Sequence, residues 1–135
     1  MLDTEVNMTV GNKTYIRPGD VLMVDFGYSS LKSRATGKRP AYVVSVNPGI
    51  GSNRSLMVIP MYRNLSYLNQ DTDIPVKSGC CSGLRYDEYV NILNIQRIER
   101  YRVCRRIGRI LSSDTMDMIR RRLVQEVSGH VWQKG

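Results

Sequence analysis

The chain has 135 residues, of which 41% are hydrophobic and 24% charged, and 20 basic against 12 acidic residues give a net charge of +8. That size suits a single domain, 1–135, with its own core, and the apolar content excludes a disordered tail. No run approaches the roughly 18 apolar residues that a membrane-spanning helix needs, and the basic excess favours a polyanionic partner over a neutral one.

Residues 1–16 read as a leader or a small hairpin extension, with a turn signal at Gly11-Asn12 between Val10 and Tyr15. Acids interrupt Met1–Thr14, so it does not have the form of a secretory signal, and a cytoplasmic protein is expected. Arg17-Pro-Gly-Asp20 is a turn, and Val21–Phe26 is a strand apolar enough to be central. A loop rich in Ser, Gly and basic residues runs from Gly27 to Lys38. Ala41–Val46 follows as a second strand rich in β-formers. This order holds Ser33, Arg34, Lys38 and Arg39 between two strands, and guanidinium and ammonium groups anchored at a strand end suit a phosphate.

A loop over 48–53 leads to a third strand, Leu56–Met61, ended near Pro60. Asp73–Val76 is a short strand, Ser78–Ser82 a turn, and Glu88–Ile95 another strand that Gln96–Val103 continues past a bend or bulge. Arg105–Ile110 suits a last short strand. The helix is the clearest element. Ser113-Asp114 caps it with Asp117 in a capping-box arrangement. Met116, Ile119, Leu123, Val124 and Val127 form one apolar stripe against the core, and Gly129 is the terminator. Short strands, turns and one C-terminal helix give a mainly β fold, a small and strongly bent antiparallel sheet or barrel.

Cys80, Cys81 and Cys104 are an odd number, and His130 is the only histidine. Adjacent cysteines do not readily pair, and no second Cys or His pair stands at zinc-ligand spacing. The thiols are read as reduced and structural, with no metal and no cofactor. Trp132 anchors the tail. Arg97, Arg100, Arg102, Arg105, Arg106 and Arg109 have alternating members that would share one strand face. They form either a solvated stripe or a platform for RNA or an acidic segment. For Arg39 the bland alternative is a pair with Asp25 on the neighbouring strand.

Several of these pieces, in this order, resemble the MazF/PemK toxin endoribonucleases over about residues 16 to 128. They are Arg17-Pro-Gly-Asp20, Gly37-Lys-Arg-Pro40 before an aliphatic strand, Val58-Ile-Pro-Met-Tyr62, Ser82-Gly-Leu84, Asn94-Ile-Gln-Arg-Ile-Glu99 and Leu111-Ser-Ser-Asp-Thr-Met116. The resemblance implies an SH3-like small barrel of the MazF/PemK/CcdB-like kind and a homodimer. It also implies metal-independent cleavage of single-stranded mRNA, and control by a cognate antitoxin whose acidic tail fills the same groove.

Such a ribonuclease activates a ribose 2′-hydroxyl, stabilises a pentacoordinate phosphate and protonates the leaving 5′-oxygen. The resemblance assigns chemistry to Arg39, Tyr62 and Ser33. The residues themselves suggest RNA contacts at Lys32, Arg34, Lys38, Arg63 and Asn64. The basic loop is either a solvated face or a phosphate contact. Tyr62-Arg63, an aromatic beside an arginine, is either a strand end covering the core or a surface for a stacked base. Two departures stand out. Tyr62 takes the place of the family's threonine, and the family's acidic position falls near Leu93 or Asn94, which leaves no clean base. The alternative reading is therefore a non-catalytic member of the fold, a gyrase-binding poison or an RNA- or peptide-binding module.

Overall fold

The computed structural model describes residues 15–28, 36–47, 55–63 and 73–134, with side chains to residue 126. The Gly11-Asn12 turn, the loops over 29–35, 48–54 and 64–72, and the side chains of Val127, His130 and Trp132 lie outside the described residues. Among the described residues, seven strands and one α-helix follow one another: β1 (Asp20–Asp25), β2 (Lys38–Asn47), β3 (Ser55–Tyr62), β4 (Asp73–Val76), β5 (Glu88–Asn91), β6 (Gln96–Glu99), β7 (Val103–Arg109) and α1 (Ser113–Lys134). The sheet order is β4-β5-β3-β2-β1-β7, with β6 also paired to β3. All recorded strand pairs are antiparallel. The expected small, strongly bent sheet with a C-terminal helix is what the chain forms.

The middle strands bury both faces, as their nearly continuous apolar sequences require. Because strand side chains alternate, Val21, Tyr42 and Ile59 face one cluster with Met61, Ile74, Val90 and Ile119 of α1. Their neighbours Leu22, Ala41, Val43, Leu56 and Val58 face another, which Ile98 completes.

The bend has a definite origin in β3. Its first half pairs with β6 from Ser55↔Glu99 to Val58↔Gln96. Its end pairs with β5 through Met61↔Val90 and Tyr62↔Tyr89. Pro60, which has no N–H to give a ladder, falls in the gap between these two partners. The strand does not stop there, as the sequence suggested, but runs on to Tyr62. Register shifts between Val43 and Ser45, and at two points along β1 and β7, add further twist.

Curvature brings the ends of the sheet path together. After β4, a 3₁₀ turn over Ser78–Cys80 leads to Cys81, which bridges Ile110 just past β7. Leu111 N–H donates to Cys80 O at 2.6 Å and Ser82 N–H to Arg109 O at 3.3 Å. The approach is so close that a Cβ on Gly108 would lie 1.5 Å from Ser82 O, and one on Gly83 2.1 Å from Ile107 O. Gly83 also has a φ of +85°, which disfavours other residues.

Several sequence expectations are corrected. The second strand begins at Lys38, so Lys38 and Arg39 belong to it and not to the loop. Glu88–Ile95 is not one strand: Ile92–Asn94 is a 3₁₀ turn, capped by the Asn91 side chain accepting from Leu93 N–H. Nor does the next segment run on into the following strand, since Arg100–Arg102 is another 3₁₀ turn. The arginine cluster is therefore divided among β6, that turn and β7, not laid along one strand face. In α1 the cap is Ser112, whose Oγ accepts from Thr115 N–H at 3.2 Å, while Asp117 pairs with Arg120. Gly129 lies inside the helix and does not end it. Val124 is 58% exposed, so it leaves the apolar stripe that Met116, Ile119 and Leu123 hold.

Asp20, at the head of β1, is fully buried. Its carboxylate accepts Arg17 N–H at 2.9 Å and meets Arg109 Nη1 at 2.9 Å and Arg106 Nη2 at 3.2 Å. Asp20→Ala leaves two guanidiniums without their partner and is expected to cost about 3–5 kcal/mol in urea unfolding. Gly108→Ala is expected to cost about 3 kcal/mol or more, because backbone must move to admit the methyl group. Gly79→Ala, where an added Cβ meets nothing within 4 Å, is expected to stay within about 0.5 kcal/mol of wild type by the same measurement.

Candidate active site

The base of the loop between β1 and β2 is closed by two backbone bonds: Phe26 N–H donates to Gly37 O at 2.9 Å, and Gly37 N–H to Gly27 O at 2.7 Å. Directly beyond this closure, Lys38 pairs with Asp25 and Arg39 with Val24. Strand pairing thus fixes the backbone of both basic residues. Of the site residues expected from sequence, Ser33, Lys32, Arg34 and Asn64 lie outside the described residues. The other four, Lys38, Arg39, Tyr62 and Arg63, line one cleft of about 530 Å³.

Register explains the meeting. Ala41 lies opposite Pro60, so two steps further Arg39 stands opposite Tyr62. The Arg39 guanidinium carbon lies 4.7 Å from the centre of the Tyr62 ring, a cation–π distance. The expected alternative, an Arg39–Asp25 ion pair, is not what forms. Asp25 Oδ1 accepts Gly27 N–H, and Arg39 Nε is buried with no hydrogen-bond partner among the described residues. The Tyr62 hydroxyl accepts from Asn94 Nδ2 at 3.4 Å. Burial pushes the phenol above its ordinary value, while the Arg39 charge and the Asn94 bond pull the other way. Asn94 is one of the two positions, with Leu93, near which the resemblance placed an acid, and it meets Tyr62 with an amide.

The opposite wall comes from the segment that the Gly83 approach presses against β7. It contributes Leu84, Arg85 and Tyr86, while β7 contributes Arg105 and Ile107. Tyr86 is half exposed, and the Arg63 guanidinium carbon lies 4.4 Å from its ring centre. Sequence reading missed this second stack, although Arg85-Tyr86 sets a basic residue beside an aromatic one, as Tyr62-Arg63 does.

It also missed Glu88. Tyr62 pairs with Tyr89, so the next step sets Glu88 of β5 opposite Arg63. Glu88 shares its strand face with Val90 and is only 6% exposed. Burial raises its carboxyl above the ordinary glutamate range, against the opposing charges of Arg63 and Arg39. The available signal was a charged residue opening a strand, with Tyr89 and Val90 directly after it. Among the described lining residues, Lys38, Arg39, Arg63, Arg85 and Arg105 are cationic and Glu88 is the one acid. The cleft therefore offers donors for an anion, two aromatic surfaces and one carboxylate able to exchange a proton.

Comparison with known proteins agrees with this architecture. An endoribonuclease in complex with its cognate antitoxin, from a mycobacterial species, superposes with a TM-score of 0.57 at 20% identity, over 84% of this chain and 96% of that one. A second endoribonuclease from a mycobacterial species gives 0.55 at 17% identity, over 84% and 91%. At these identities the likeness is one of fold. No curated protein sequence matches the chain. The model of the PemK-like, MazF-like toxins of type II toxin-antitoxin systems matches residues 17–127, and the chain belongs to that family.

Proposed function

We propose that this chain is a sequence-specific, metal-independent endoribonuclease that cuts single-stranded mRNA and is neutralised by a cognate antitoxin. The observation that carries this reading is Arg39, stacked on Tyr62 in a cleft of five cations with its Nε unbonded. A buried donor without a partner is costly, and a phosphate oxygen is the acceptor that the cleft is charged to receive. In the reaction the 2′-oxygen attacks phosphorus and the bond to the 5′-oxygen breaks, leaving a cyclic phosphate and a free 5′-hydroxyl. Arg39 stabilises the charge on the phosphorane oxygens. The Tyr62 phenol, kept protonated by burial and facing a guanidinium that favours its anion, protonates the leaving oxygen. Lys38 and Arg63 hold flanking phosphates, and the Arg63–Tyr86 stack offers a surface for a base. Ser33 remains assigned to the site by the family resemblance, and Lys32, Arg34 and Asn64 by their place in sequence beside Ser33 and Arg63.

Metal independence follows from the charges gathered in the cleft, which suit phosphate and not a divalent cation. An acidic antitoxin tail would compete for the same charges, as RNA does. We also read the toxin as a cytoplasmic homodimer, since β4 and β7 end the sheet path and leave edges that a second copy covers. No helix among the described residues is long and apolar enough to cross a membrane. The substitution of Tyr62 for threonine and of Asn94 for an acid favours a second reading, a non-catalytic RNA- or gyrase-binding poison.

Purified protein incubated with a long unstructured RNA in EDTA distinguishes the two. Wild type is expected to cut. Arg39→Ala should slow cleavage by about 10²–10³, as loss of one oxyanion donor does, with little change in melting temperature. Arg39→Lys should recover part of the loss, since charge returns without the planar fork, and Tyr62→Phe should also slow the reaction. A folded Arg39→Ala protein cutting at wild-type rate would sink the assignment. Growth arrest without any RNA cleavage would favour the second reading.

The cationic cleft also predicts salt-sensitive binding. The logarithm of RNA affinity should fall linearly with the logarithm of salt concentration, and Arg63→Ala should reduce that slope. Fluorescence anisotropy at several salt concentrations checks both; a flat response would count against a phosphate-binding cleft.

A further inference from the structure

The endoribonuclease reading leaves the 2′-hydroxyl without a base, because the stretch where the family resemblance calls for an acid carries Leu93 and Asn94. Three observations converge on a replacement from another strand. Glu88 is the sole acid among the described residues lining the cleft. It opens β5, so its backbone is fixed by pairing to Val76 of β4. Register also carries it to Arg63, next to the Tyr62↔Tyr89 pair. The acid thus lines the same cleft as Arg39 and Tyr62, near enough to Arg39 for that charge to act on its carboxyl, and a second group in that cleft is what proton transfer on both sides of a phosphate needs.

We propose that Glu88 is the general base of the cleavage step and accepts the proton of the attacking 2′-hydroxyl. This assignment rests on the endoribonuclease reading. The proton leaves the 2′-oxygen for a Glu88 carboxylate oxygen as the 2′-O–P bond forms. The P–O5′ bond breaks, and its electron pair takes the phenolic proton of Tyr62. Glu88 then releases its proton to solvent, and Tyr62 regains one. No water or metal is consumed, so the products together hold the atoms of the substrate.

The surroundings suit a carboxylate that takes up a proton more readily than an exposed glutamate does. Burial raises the Glu88 carboxyl, the largest influence upon it, and Arg63 and Arg39 oppose that rise. Lys38 from β2, Arg85 from the preceding segment and Arg105 from β7 are the other charges in the cleft, Tyr62 is the nearby phenol, and β4 opposes Glu88 with apolar Val76. A base must be deprotonated, so the rate should climb with pH through a midpoint above the ordinary glutamate range and then level off.

The test is the pH–rate profile for cleavage of a long unstructured RNA in EDTA, with thermal unfolding by circular dichroism of each variant. Wild type should show the acidic limb. Glu88→Gln, equal in size and unable to accept the proton, should lose about 10²–10⁴ in rate and lose the limb. Glu88→Asp should keep the limb at reduced rate, and it decides the matter with wild type if Glu88→Gln does not fold. Cleavage by folded Glu88→Gln at wild-type rate with an unchanged limb overturns the assignment while leaving the endoribonuclease reading intact. A wild-type profile without an acidic limb overturns it equally. Wild-type protein that cuts no RNA overturns the underlying reading, and the base assignment with it.

Discussion

The arrangement depends on one carboxylate out of reach of water. Asp20 gathers a backbone N–H from its own turn and two guanidiniums from the far end of β7. An isolated buried carboxylate is prohibitively expensive, and only several well-placed donors offset its desolvation. That requirement fixes which end of β7 meets which end of β1, across a ladder whose register shifts twice. The same junction is bolted by Gly19, whose N–H reaches Val43 O and whose carbonyl receives Ile110 N–H, both at 2.9 Å. With β7 so placed, Arg105 and Ile107 arrive at the cleft, and the backbone of Ile107 and Gly108 passes close enough to Ser82-Gly83 to set the opposite wall.

A net charge of +8 is informative only after the internal consumers are subtracted. Arg106 and Arg109 belong to Asp20. Arg102 donates to Asp25 O and pairs with Glu99, and Arg120 pairs with Asp117. These cations serve the fold, or a surface where exposed pairs contribute little. Arg39 and Arg63 are held differently, each against an aromatic ring. Stacking positions a guanidinium without using up its in-plane N–H donors, so the charge is oriented yet still able to bind a phosphate.

Much of the framework was legible because it rests on local periodicity. The apolar runs of β1 to β3 and the stripe of Met116, Ile119 and Leu123 each required a core on the expected side. Arg39 and Tyr62 were legible as single residues from the family pattern, but their contact was not, since it follows from the Ala41↔Pro60 register. The arginine series from 97 to 109 misled for a physical reason: two 3₁₀ turns and two register shifts break the alternation that sequence spacing assumes. The capping error has a similar source, for three consecutive candidates, Ser112, Ser113 and Asp114, satisfy the same pattern. Glu88 left only its place at the head of a strand as a signal, because burial of a charge is a property of the neighbours, and those neighbours come from other strands.

The two departures from the family pattern are linked through one ring. Threonine at the end of β3 would present its hydroxyl close to the strand; tyrosine extends the hydroxyl outward and needs support along its length. Arg39 supplies that support at the face of the ring and Asn94 at the oxygen. An acid at position 94 would instead set a carboxylate against the phenol oxygen, disfavouring the phenolate that a proton donor must become. An amide donor there favours it. Tyrosine at 62 is thus compatible with an amide at 94, and the carboxylate the chemistry still requires has to stand elsewhere. In β5, Glu88 lies across from Arg63, clear of the phenol oxygen's own hydrogen bond, so that under the proposed assignment acid and base are carried by neighbouring strands whose spacing the ladder sets.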